Sequence, residues 1–104
     1  MMIDIKKVQS MIKPSVLAIT KHAKNRLQER NIKVADIISC VNTGEIIKQY
    51  EDDKPLSSCL VLGRTADNRV IHVVLSCDDE FVYLITAYYP DSQLWESDWK
   101  TRKE

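Results

Sequence analysis

The stretch Asn42-Thr43-Gly44-Glu45-Ile46-Ile47-Lys48-Gln49-Tyr50 is where the chain changes period, and it divides the fold in two. Upstream of it, Val34, Ile37, Ile38 and Val41 recur at helical spacing, which predicts a helix over residues 34–42. Gly44 is placed to end that helix, since glycine just past the last turn readily leaves the helical conformation. Downstream, Ile46, Ile47 and Tyr50 give residues 45–50 the pattern of a strand.

Strands continue toward the C-terminus. A polar loop over residues 51–57, with Asp52, Asp53 and Pro55, precedes a second strand over 58–64. Ala66-Asp67-Asn68 has turn chemistry, because short Asn and Asp side chains support tight reversals. The third strand, 69–77, is apolar on both faces (Ile71, Val73 and Leu75 against Val70 and Val74), which predicts a central position. Asp78-Asp79-Glu80 turns the chain into a fourth strand over 81–89, and Pro90 closes the sheet. The short connections favour an antiparallel meander, since parallel neighbours need a long crossover. In the tail, 91–104, Trp95 and Trp99 lie four apart, so a last helical turn docking both indoles is expected.

Helices occupy the other direction. Thr20 is an N-cap candidate for a helix over 21–30 with Ala23 and Leu27 as its apolar stripe, and Asn31 suits the left-handed residue that ends it. Residues 15–19 read as a connector or a brief extended piece. Ile5, Val8, Met11 and Ile12 mark an amphipathic helix within 3–13, stopped by Pro14. Helices followed by strands mean an α+β fold. The expectation is one domain over 1–104: an N-terminal helix at 3–13, a helical hairpin at 20–43, a four-stranded antiparallel sheet at 45–89, and the tail.

Composition narrows the function classes. Hydrophobic residues make up 44% and charged residues 29%, an ordinary globular balance rather than that of a disordered chain. No apolar run has the length of a membrane span, and the start of the chain lacks the order of a secretory signal, so a cytoplasmic location is expected. Cys40, Cys59 and Cys77 are widely spaced among apolar neighbours, which fits buried thiols better than a disulfide framework or a zinc site. No metal or cofactor is expected. The 15 basic and 15 acidic residues cancel, unlike the positive excess of a general nucleic-acid binder. The charge is nonetheless uneven: Lys21, Lys24, Arg26, Arg30 and Lys33 crowd one segment against Glu29 alone.

The candidate chemistry lies in Thr20-x-His22-Ala23-x-x-Arg26-Leu27-x-Glu29-Arg30. On a helix, positions 22, 26 and 30 are successive neighbours, so an imidazole and two guanidiniums share a stripe. The spacing alone favours a solvated basic face with Glu29 paired to Arg26 or a lysine; the sharper alternative is an anion site. His72, the second histidine, sits mid-strand among valines, where a hydrogen-bonded core residue is commoner than a catalyst. Tyr88 either presents a phenol to a ligand or serves as a wall of the core.

These blocks resemble a family of short bacterial proteins known as the DUF4258 domain of unknown function. The resemblance rests on the His22 motif through Asn31-Ile32, then Asp36-Ile37, Asn42-x-Gly44-Glu45-Ile46-Ile47-x-x-Tyr50, Pro55 and Leu62-Gly63. It continues through Ile71-His72-Val73-Val74 and Ile85-Thr86-Ala87-Tyr88-x-Pro90-Asp91 to Trp95. That family is similar to the RelE-like, barnase–EndoU–colicin group, with helices on a small antiparallel sheet and many ribonuclease toxins among its members. The resemblance implies metal-independent RNA cleavage, with RNA and a cognate antitoxin or another protein as partners. His22 and His72 would then transfer protons, Arg26 and Arg30 would clamp the phosphate, and Tyr88 would stack on a base or orient a proton carrier. The rival reading is a non-catalytic binding or interaction module on the same scaffold.

Overall fold

The computed structural model describes residues 2–104. Helix α1 (Ile5–Met11) is capped by Asp4, whose carboxylate accepts the Lys6 N–H at 2.9 Å, and it buries Val8. After a single 3-10 turn at Pro14–Val16, the chain forms a short strand, β1 (Leu17–Ile19). Helix α2 (Lys21–Glu29) is capped by Thr20, whose hydroxyl accepts from Ala23 N–H at 3.1 Å. It buries Ala23 and Leu27, and Asn31 beyond it is left-handed with φ 56°. Helix α3 (Val34–Thr43) buries Ile37, Cys40 and Val41. Four longer strands follow: β2 (Glu45–Tyr50), β3 (Ser58–Arg64), β4 (Val70–Cys77) and β5 (Val82–Tyr88).

The sheet is where the expectation from sequence is corrected. It is five-stranded and mixed, in the order β1-β5-β4-β3-β2. The antiparallel meander from β2 to β5 is present, but β1, within the stretch read from sequence as a connector or a brief extended piece, adds a parallel edge against Val82–Leu84. Three residues carry too little periodicity to announce a strand. Its partner supplies the extended geometry instead. As its two apolar faces implied, β4 lies in the middle.

Side-chain alternation splits the sheet into two faces. Cys59, Val61, Ile71, Val73, Leu75, Val82, Leu84 and Ala87 join Val8, Leu27, Ile37, Cys40 and Val41 of the helices in one core. The register places Leu62 opposite His72, and His72 opposite Tyr88, on the face turned away from that core. Helix α3 lies hard against β3: a Cβ at Gly63 would overlap the Cys40 backbone. Only glycine allows that approach. Asp36 ties the start of α3 down twice, accepting from Lys33 N–H at 3.0 Å and from Ala66 N–H at 3.3 Å in the β3–β4 turn.

The tail also departs from expectation. Instead of a helical turn, residues 94–103 form a small hairpin loop, with Glu96 N–H donating to Thr101 C=O at 2.8 Å and Lys103 N–H to Leu94 C=O at 2.9 Å. Asp98 decides this, since its carboxylate accepts from Lys100 N–H and Thr101 N–H at 2.9 and 3.0 Å. A side chain that binds nearby backbone in this way competes with the helix ladder. Trp99 is left-handed at φ 62°, which turns its carbonyl onto the sheet.

Candidate functional site: a roofed histidine and an exposed cationic helix

His72 is fully buried, at 0% exposure, although it lies on the sheet face opposite the helices. The tail covers it. Its Nε2 lies 2.8 Å from the Trp99 carbonyl, and its Nδ1 lies 3.2 Å from the Tyr88 hydroxyl. A carbonyl can only accept, so Nε2 carries the proton. In the neutral ring Nδ1 then accepts, and the Tyr88 hydroxyl donates to it. Trp95 packs edge-on at 4.5 Å between ring centres and 89°, and Tyr88 does so at 5.3 Å and 69°. Burial lowers the imidazole pKa below its ordinary 6.5, with the bond to the Trp99 carbonyl opposing the shift. Both ring nitrogens are thus committed within the protein.

The helix residues are placed differently. His22 is exposed near the start of α2 and makes no hydrogen bond or ion pair among the described residues. Arg26 pairs with Glu29 at 3.3 Å, three residues on, at half exposure. Arg30 is tied down: its Nη1 donates to the Ala87 carbonyl at 2.8 Å and to the Thr86 hydroxyl at 3.2 Å. The reason is the brevity of β1, which ends opposite Leu84 and leaves the next part of β5's outer edge without a strand. Arg30 supplies the donor that a strand would have supplied.

The structure therefore brings His72 and Tyr88 together and keeps His22, Arg26 and Arg30 along α2. It does not open His72 to a pocket shared with His22, because the tail seals the imidazole. Sequence reasoning missed Lys48, Tyr50, Trp95 and Arg102, which line a groove beside the sealed cluster. Their signal was faint: Lys48 and Tyr50 alternate on one strand, and Arg102 lies in a basic run, Lys100-Thr101-Arg102-Lys103, in the same tail as Trp95. Among the described residues no group of three His, Cys, Asp or Glu side chains is assembled that could hold a metal ion. Among the same residues no helix is long and apolar enough to cross a membrane.

Residues 19–89 match the family model described as Domain of unknown function (DUF4258), from the last residue of β1 to the residue after β5. The chain belongs to the DUF4258 family. No curated protein and no solved structure matches it. Within this DUF4258 protein the matched span holds His22, Arg26, Arg30, His72 and Tyr88, whereas the tail that roofs His72 lies beyond it.

Proposed function

We propose that this DUF4258 protein is a non-catalytic RNA-binding module on a scaffold resembling the RelE-like toxins. The observation that carries the reading is the sealed imidazole of His72. Cleavage through a neighbouring 2′-hydroxyl needs a base and an acid that reach the reacting oxygens. His72 meets no solvent, its two nitrogens are bonded to Tyr88 and Trp99, and burial favours its neutral form. Of the two histidines, His22 alone remains exposed, so the His22–His72 proton-transfer pair that the resemblance implies is not assembled.

The exposed cations Lys21, Lys24 and Arg26 of α2 support phosphate binding without chemistry. Such contacts fix a nucleic-acid backbone but carry no sequence information. RNA as the ligand follows from the family resemblance, and the neutral overall charge keeps the binding local to this surface.

The test incubates purified protein with structured and unstructured RNA in the absence of divalent metal, beside His22→Ala and Arg26→Ala. The expected result is a gel-shifted complex that weakens with salt and in Arg26→Ala, while RNA stays as intact with the wild type as with either substituted protein. Cleavage by the wild type that disappears in His22→Ala would overturn the non-catalytic reading in favour of a metal-independent endonuclease. Absence of any complex would remove RNA as the ligand.

A further inference from the structure

The groove between β2 and the tail has a volume of about 410 Å³, within the size range of small-molecule sites. Its aromatic walls are Tyr50 and Tyr88 from the sheet and Trp95 from the tail. Lys48, Lys100 and Arg102 bring positive charge, and no carboxylate lines it. The Lys100 ammonium is held by Glu45 at 2.5 Å, but Lys48 and Arg102 pair with no carboxylate among the described residues. Each instead sits over a ring, Lys48 at 5.4 Å from the centre of Tyr50 and Arg102 at 5.2 Å from the centre of Trp95. Attraction to the ring face keeps both cations beside the aromatic walls.

Formal charge over the whole chain is zero, so two unneutralised cations against three rings are a local feature and not a by-product of a basic protein. Charge of this sign calls for an anion. The rings call for a flat, polarisable partner, since stacking of a base on an aromatic side chain favours any base. A nucleoside phosphate has both parts.

We infer that this groove holds a nucleotide unit of single-stranded RNA, its base against the rings of Tyr50 and Tyr88, with the buried Trp95 as the floor beneath Arg102, and the phosphates on its two sides at Lys48 and Arg102. The inference rests on the RNA-binding reading above and adds to the α2 cations a second, separate place of contact and its manner of binding. Trp95, Lys100 and Arg102, three of the eight residues that line the groove, lie beyond the matched family span.

Both tryptophans of the chain are in the tail, and Trp95 lines the groove, so intrinsic fluorescence reports occupancy directly. The experiment titrates the full chain with a short oligouridylate, with uridine monophosphate and with inorganic phosphate, at several salt concentrations. The oligonucleotide is expected to quench the emission, with log K falling against log salt at a slope of about −1.4 for two neutralised phosphates. Lys48→Ala and Arg102→Ala should each weaken binding roughly tenfold and flatten that slope by about 0.7. Tyr50→Leu should weaken binding by roughly tenfold with the slope unchanged. Circular dichroism establishes that each substituted protein is folded.

RNA affinity equal to wild type in both Lys48→Ala and Arg102→Ala overturns the groove and leaves the RNA-binding module standing. Binding of the monophosphate without the oligonucleotide overturns the RNA reading while keeping the groove as a nucleotide site. Inorganic phosphate competing as well as the monophosphate would show that no base stacks there, and would overturn the inference. No binding of any probe removes both.

Discussion

Replacing His72 by leucine tests whether the imidazole anchors the tail. The substitution keeps apolar bulk against Trp95 and removes the bonds to the Trp99 carbonyl at 2.8 Å and the Tyr88 hydroxyl at 3.2 Å. Each such bond contributes about 1 kcal/mol net, and a carbonyl left dry costs about 1–3 kcal/mol more. Tyr88 and Trp99 are only half-buried, so water can reach part of what is released. The tail should therefore lose about 2 kcal/mol of docking free energy, roughly a thirtyfold change in the closed-to-open ratio.

The assay is urea unfolding followed by two probes. Tryptophan emission reports the tail alone, because both indoles are there, and far-ultraviolet circular dichroism reports the helices and sheet. In the wild type the two transitions should coincide. In His72→Leu the emission should shift red at urea concentrations well below the dichroism midpoint. Superimposed transitions in His72→Leu, with the wild-type midpoint, would refute the claim that this imidazole holds the roof down.

Acid should act on the same anchor. Because burial lowers the folded pKa of His72 below 6.5, the undocked state binds the proton more readily. Docking is complete above pH 6.5 and weakens as pH falls from there through the lower folded value; a red shift of the emission over that window, absent as a separate step in His72→Leu, checks it. The groups facing the ring are the Tyr88 hydroxyl, the Trp99 carbonyl and the Trp95 indole, so no carboxylate offsets the new charge. Gly63→Ala should destabilise the domain by about 1–3 kcal/mol through overlap with the Cys40 backbone, read as a lower melting temperature in calorimetry. Burial pushes Cys40 and Cys59 up to about 12, so at pH 8 a thiol reagent should leave both unmodified in the native protein and modify all three cysteines in denaturant. Arg30→Ala should cost about 1 kcal/mol by freeing the Ala87 carbonyl on the edge of β5, with the melting temperature as readout.

Strongly periodic elements are legible from the residues alone. The apolar face of α3, the caps at Thr20 and Asn31, and the apolar runs of β2 to β5 between polar turns are local properties, and each appears where local physics puts it. What was not legible lay either in partners distant in sequence or in a local polar capture that outweighed the helical spacing of Trp95 and Trp99. Three residues become β1 only because β5 offers them a ladder, and the tail becomes a hairpin because Asp98 captures nearby backbone donors. The same division runs through the candidate site. The stripe of His22, Arg26 and Arg30 follows from helical spacing, but Arg30's attachment to β5 and the closure over His72 are long-range contacts that no spacing announces. His72 as a hydrogen-bonded core residue, the commoner outcome for a histidine among valines, is what the fold displays.

The seating of Cys40 directly on Gly63 gives the molecule a stiff side and a yielding side. On the stiff side helix backbone touches strand backbone with no side chain between them, so α3 has no cushion on which to slide or roll. On the yielding side a loop rests on one imidazole, one indole and one surface ion pair. Under load the tail is therefore expected to give way before α3 does.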